Sequence, residues 1–324
     1  MTPTDSPKYR HPFLPLDGGR FLTDGGLETS LIFQEGWDLP AMAAFVLMET
    51  EPGRNAVRDY FDRYVPMAVA RKVGFILESP TWRANPDWGV KIGYKLEKLA
   101  QINRDSIDLM REIRTKFEGP HTPILISGCI GPRGDGYDPG ELMSPEEAQA
   151  YHAWQIGVFA DTGCDCVTAM TITNINEAIG LAHAAEAAEM PCVISFTVET
   201  DGRLPTGHTL AEAIETVDAE TGSAPAYYMI NCAHPTHFAP TLEAGTDWAG
   251  RVRGVRANAS QCSHAELDNS TELDSGNPKE LGEEYAELLE RLPHLTVLGG
   301  CCGTDHRHIE AISRVCYGRD RKAA

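Results

Sequence analysis

The feature that most constrains this chain is a regular alternation of short apolar runs with helical patterns. Eight runs read as strands: Phe21–Asp24, Gly74–Ser79, Pro123–Gly128, Cys166–Thr171, Cys192–Val198, Tyr227–Cys232, Arg253–Ala257 and Leu295–Leu298. Helical patterns lie between them, notably Leu96–Phe117, Pro145–Asp161, Ile175–Glu189, Leu210–Glu220 and Pro278–Arg291. Short continuous apolar runs suit strands buried on both faces. Alternation with helices calls for parallel strands joined by right-handed crossovers. A count of eight favours closure into an α/β TIM barrel over an open doubly wound sheet. Ser144-Pro145-Glu146-Glu147 is a strong helix opening, with a capping serine and Glu147 three residues on. Pro66 interrupts Val57–Lys72 and predicts a kinked or divided helix there.

The 324 residues fit one barrel domain, placed at 21–318. Pro3, Pro7, Pro12 and Pro15 mark residues 1–20 as an extended arm, and 319–324 reads as a tail. Asn269–Pro278, rich in Ser, Asp, Glu and Gly, reads as an insertion before a helix. With 28 basic against 47 acidic residues the formal charge is −19, which argues against nucleic acid as partner. The first fifteen residues lack a leader's apolar segment, and no apolar run is long enough to span a membrane. Nine cysteines without regular spacing suit a reducing cytoplasm better than a disulfide framework. Oligomeric state stays open.

Barrel geometry gathers the C-terminal ends of all strands at one mouth. Leu298-Gly299-Gly300-Cys301-Cys302-Gly303-Thr304-Asp305 ends the last strand there. Adjacent cysteines on a straight strand point to opposite faces, so they converge only where the backbone leaves it, a departure that glycine permits. Cys232, at the end of the sixth strand, joins them on the rim. Three thiolates with one open position describe a catalytic zinc site. A vicinal disulfide, or three small buried thiols, remains the alternative on these residues alone.

Three motifs then make the chain similar to one family. Gly299-Gly300-Cys301-Cys302-Gly303-Thr304, Asn231-Cys232 and Asp24-Gly25-Gly26-Leu27-Glu28-Thr29 occur in the order found in homocysteine S-methyltransferases, and the similarity runs from about Phe21 to about Val315. The resemblance implies a TIM barrel whose Zn²⁺ binds a substrate thiol for methylation, a small-molecule thiol acceptor and methyl donor, and a place in methionine biosynthesis. It implies Cys232, Cys301 and Cys302 as ligands and Asp24 as the holder of the acceptor's amino group; Glu28 stands close enough in sequence to assist, or else belongs to the first turn of a helix. Asn231 would orient the substrate or brace the metal loop.

The chain departs from the family on the fourth strand, where Ala169-Met170-Thr171 replaces the usual Glu-Thr. Met170 cannot supply the missing charge, so homocysteine as acceptor is in question and Glu78 is the candidate to compensate. Trp82, Trp37, Trp88 and Tyr137 are candidate walls for a cationic donor. Asn258 matches a seventh-strand asparagine, although Arg256-Ala257 replaces Tyr-Pro before it. Gly128-Cys129-Ile130-Gly131-Pro132 resembles a tight turn of the family, and Gly131–Gly140 reads as a lid or donor loop. His306 and His308 read as capping or surface residues. The rival readings are a demethylase-type reaction on another sulfur substrate, or a non-catalytic metal or redox thiol protein.

Overall fold

In the computed structural model, which describes residues 6–242 and 244–318, eight parallel strands close on themselves in sequence order. They are β1 (Phe21–Leu22), β2 (Gly74–Glu78), β3 (Ile124–Ile130), β4 (Cys166–Ile172), β5 (Cys192–Phe196), β6 (Tyr227–Asn231), β7 (Val252–Ala257) and β8 (Val297–Gly300). The ring is sealed where Phe21 and Leu22 pair with Val297 and Leu298 on one side and with Gly74 and Phe75 on the other. The TIM barrel expected from the alternation is therefore the fold. All five expected helices form, and Ser144 caps the helix from Pro145 with the reciprocal Glu147 contact.

Two expectations need correction. Of the two outcomes expected at Pro66, division does not occur: one helix runs from Glu51 to Arg71. Pro66 sits on its exposed side, while Phe61, Tyr64, Val65 and Ala68 are buried around it. Packing of that apolar face outweighs the one backbone hydrogen bond that proline removes. The last strand runs to Gly300, two residues beyond the expected Leu298.

The glycines of β8 serve close approach. A Cβ on Gly299 would stand 1.8 Å from Thr23 Oγ1, and one on Gly300 would stand 2.1 Å from Thr304 Oγ1. The absence of both side chains lets the chain after β1 and the Thr304 turn lie directly against the mouth.

The barrel floor is closed by residues that precede β1. Phe13 packs with Phe21, Ile76, Leu125, Val193 and Val297 and stacks on Tyr227. The backbone N–H groups of Lys8 and Tyr9 donate to Asp165 Oδ1, and Arg114 donates to its other oxygen at 2.8 Å. The described part of the arm, residues 6–20, thus seals the end opposite the mouth and includes a short 3-10 turn at Leu14–Asp17. The expected tail at 319–324 and the first five residues lie outside the described residues. Gly299→Ala is expected to lower stability by about 1–3 kcal/mol through overpacking against Thr23, read as a lower urea midpoint with unchanged slope.

Candidate metal centre and substrate cavity

β6 and β8 flank β7, with Asn231 opposite Arg256 and Ala257 opposite Gly300. That register brings the residue after β6, Cys232, beside the residue after β8, Cys301. The two are joined as a disulfide, and Cys302 Sγ lies 3.8 Å from Cys232 Sγ. All three sulfurs lie within 4.8 Å of one another, the single grouping among the described residues placed to hold a metal ion. The vicinal disulfide weighed as an alternative does not form, and Cys302 is a free thiol. Neighbouring Cα atoms sit about 3.8 Å apart, too close for ordinary bridge geometry. The Cys232 and Cys301 Cα atoms are 5.4 Å apart, well within it.

The turn out of the strands is made differently from the expectation. Gly303 does adopt a positive φ of 78°, but Gly299 and Gly300 belong to β8. The other left-handed residues here are Cys232 (φ 53°) and Thr171 (φ 63°), neither of them glycine. Such backbone costs on the order of 1–3 kcal/mol per residue and persists only when surroundings enforce it. Asn231 supplies much of that enforcement. Its Oδ1 accepts from Thr171 N at 2.9 Å and from Ser195 Oγ at 2.7 Å. Its Nδ2 donates to Thr171 Oγ1 at 2.8 Å and lies 3.7 Å from Cys301 Sγ.

Asn258 donates to the Cys232 carbonyl at 3.0 Å, and His264 Nε2 meets the same oxygen at 2.8 Å. Asn258 therefore supports the ligand loop and is not among the residues that line the cavity. His308 is buried and completes the cap of its helix through Asp305, while His306 is exposed. Tyr137, from the glycine-rich loop after β3, stacks on His264 at 3.9 Å between centroids and points its hydroxyl at Cys302 Sγ, 3.7 Å away.

The sulfurs open into a cavity whose walls include Asp24, Glu28, Glu78, Trp82, Met170 and Thr171, as expected. Tyr137 joins them, whereas Trp37 and Trp88 do not. Two arginines that sequence reasoning did not assign complete the wall. Arg256 reaches from β7 across the bare backbone of β8, donating to Gly300 O at 3.0 Å and to Asp24 Oδ1 at 2.8 Å. Tyr60 donates to Asp24 Oδ2 at 3.0 Å. Both oxygens of the expected amino-group anchor thus already have partners within the protein. Its one sequence signal was that Arg256 stands where relatives carry tyrosine. The second is Arg83, whose guanidinium lies between the rings of Trp82 and Trp88, 4.0 and 3.8 Å from their centroids.

Burial dominates the electrostatics. It pushes the Asp24 carboxyl up from its ordinary value against the pull of Arg256 and Tyr60. Glu28 and Glu78 are each raised to about 7, chiefly by desolvation. Glu78 Oε2 is buried with no hydrogen-bond partner. Burial lifts the Cys302 thiol to about 11 and pushes Arg83 down to about 10.

Fold and site together define a TIM-barrel protein with a three-sulfur cluster lining a cavity that also carries buried charged groups. The sequence profile of the homocysteine S-methyltransferase family matches residues 21–316. The chain belongs to that family, and its members are methyltransferases. It is 24% identical to a selenocysteine Se-methyltransferase of Brassica oleracea var. italica, covering 93% of this chain and 90% of that protein. Homocysteine S-methyltransferase 3 of Zea mays is also 24% identical, over 92% of this chain and 90% of its own length. Among solved structures, the oxidized form of the homocysteine methyltransferase MmuM from Escherichia coli superposes with a TM-score of 0.74 at 20% identity, covering 94% and 99% of the two chains. The metallated form of MmuM gives 0.69 at 21% identity, covering 91% of this chain and 95% of its own.

Glu78 yields a pH prediction. With its carboxyl raised in the folded state, the native protein binds more protons than the unfolded chain between about pH 4.5 and 7, so stability falls as pH rises through that window. Glu78→Gln is expected to be more stable than the parent at pH 8, by up to about 3 kcal/mol, and equal to it near pH 4.5. Urea unfolding at the two pH values reads the difference; a pH-independent gap would mean that Glu78 is not the source.

Proposed function

We propose that this chain transfers a methyl group from a sulfonium or quaternary ammonium donor to a thiol held at a zinc ion by Cys232, Cys301 and Cys302. The observation that carries the reading is the cluster of three sulfurs opening into the cavity, in a chain of this family. The donor set fits the ion: three thiolates suit a soft tetrahedral cation and leave one vertex for a guest. The Cys302 thiol, lifted by burial, stays protonated at neutral pH without a cation to hold its thiolate. The fit applies to the reduced cluster, in which a thiol reductant has supplied two electrons and two protons to the Cys232–Cys301 bond. Such conditions match a reducing cytoplasm. Zinc, when bound, keeps the acceptor sulfur ionised at neutral pH.

The chain's own groups do the positioning. Asn231 fixes the strained Thr171 and Cys301 around the cluster, and Tyr137 covers Cys302 from above. Trp82 and Tyr137 offer aromatic faces to a cationic methyl donor, with Glu28 and Glu78 supplying negative potential on the same cavity. In transfer, a lone pair of the acceptor sulfur forms the new bond to the methyl carbon. The bond from that carbon to the donor heteroatom breaks in line with it, and its pair leaves with a neutral sulfide or amine. Alignment of the three atoms supplies much of the acceleration. Homocysteine, if it is the acceptor, leaves as methionine. Its ammonium would then face Glu78, whose free oxygen replaces the carboxylate that Met170 lacks, beside the engaged Asp24.

After reduction and dialysis the protein is expected to carry one zinc per chain. Cys301→Ala and Cys232→Ala should each lose the metal and at least about 100-fold in methyl transfer. Elemental analysis together with product formation checks this. Undiminished transfer by the metal-stripped protein would remove zinc from the mechanism.

A further inference from the structure

The cavity holds two guanidinium groups in opposite situations. Arg256 Nε donates to Gly300 O, and one of its Nη groups donates to Asp24 Oδ1 and Gly25 O, so its Nε is engaged within the protein. That of Arg83 is not. Its side chain is 5% exposed, one Nη donates to Gly134 O at 2.9 Å, and the other lies 3.4 Å from Asp135, a carboxylate 48% exposed to water. Its Nε is buried with no partner at all. The Trp82 and Trp88 rings both pack against the guanidinium, their centroids 4.0 and 3.8 Å from its carbon, and so help to hold it in place. A buried cation with an unused donor costs free energy until an acceptor reaches it. The planar fork suits a carboxylate, which can take two parallel hydrogen bonds from one edge of the guanidinium.

We propose that Arg83 is the substrate-carboxylate anchor of this cavity, binding the carboxylate of the thiol acceptor or of the methyl donor. The proposal rests on the methyl-transfer reading above and adds the residue that sets which substrates the site takes. A bound carboxylate approaches Nε and displaces the weak Asp135 contact at the rim. Trp82 then holds both the guanidinium and the neighbouring apolar part of the substrate, which couples carboxylate recognition to placement of the reacting sulfur. Arg83 does not touch the reacting atoms, so its removal acts on recognition and alignment.

The test uses reduced, zinc-loaded full-length protein and two pairs of probes that differ by a carboxylate. The acceptor arm compares homocysteine with 3-mercaptopropylamine. The donor arm compares dimethylsulfoniopropionate with ethyldimethylsulfonium. In the arm that supplies the natural carboxylate, kcat/KM is expected to favour the carboxylated probe by about 100-fold. Arg83→Met should reduce that ratio to about one in the same arm and leave the other arm's ratio unchanged, whereas Arg83→Lys should retain part of it. Calorimetric titration of the thiols in the absence of donor reads the acceptor arm without turnover. If neither ratio exceeds about threefold in the parent protein, or if both survive Arg83→Met, the anchor assignment is wrong while methyl transfer stands. If no thiol is methylated by any donor and none binds, the underlying reading falls and the anchor with it.

Discussion

Closure of β8 onto β1 is the constraint on which the rest of the structure depends. It brings the segment after β1, carrying Asp24 and Glu28, against the segment after β8, carrying Cys301 and Cys302. The approach requires a strand without side chains at its end. Gly299 lies where Thr23 needs room, and Gly300 lies where Thr304 does. The same bare strand allows Arg256 to extend from β7 over β8 and meet Asp24 on the far side. The glycine pair thus fixes a seam, the corner that carries the sulfur cluster and an ion pair together. A glycine loop that only relaxed backbone angles would not couple these three.

Around that seam, local strain and rigid support are paired. Cys232 and Thr171 hold left-handed backbone that neither residue favours, and β-branched Thr171 is the harder case. Asn231 answers Thr171 with two hydrogen bonds and directs its amide at Cys301, while Asn258 and His264 answer Cys232 by engaging its carbonyl. The bracing comes from β5, β6, β7 and the helix beginning at His264, and none of it leaves the freedom that an open loop would. Three sulfurs from two chain segments are thereby held within 4.8 Å of one another. Such preorganisation is what a site that orders an incoming thiol needs.

Sequence and structure part company where chemistry depends on register. The strand count, the helices and the three cysteines were legible because each rests on local periodicity or on a motif at a strand end. Pro66 misled because its exposed ring leaves buried Phe61, Tyr64, Val65 and Ala68 free to hold the helix together. Arg256 was visible as a substitution, yet its partner Asp24 lies 232 positions away and no spacing rule connects them. Tyr60 is hidden in the same way, as one buried aromatic on the helix that follows Thr50. Arg83 follows Trp82 in the sequence without any signal of its own, since its meaning comes from the fold bringing Trp88 as well as Trp82 against its guanidinium. Asn258 stands just after β7, yet its side chain engages the Cys232 carbonyl and does not line the cavity, a distinction of side-chain direction that a motif does not carry.

What folding leaves unfinished in the cavity is as informative as what it completes. Asp24 and Arg256 neutralise each other inside the barrel, and a buried pair of this kind contributes mainly by keeping either member from standing alone. Glu78 Oε2 and Arg83 Nε are left without partners, one anionic when ionised and one cationic, on the walls of the same cavity. Their desolvation is already incurred in the folded protein. A ligand group of the right sign therefore meets each without stripping a full hydration shell from the protein side, which raises its affinity relative to an exposed site. In this cavity the uncharged Met170 of β4 lies on the same wall as Glu78 of β2 and Arg83 of the loop beyond it. The three sulfurs and the unpartnered polar atoms thus belong to different parts of one cavity, so a substitution at Glu78 or Arg83 changes its polar contacts without touching the sulfur cluster.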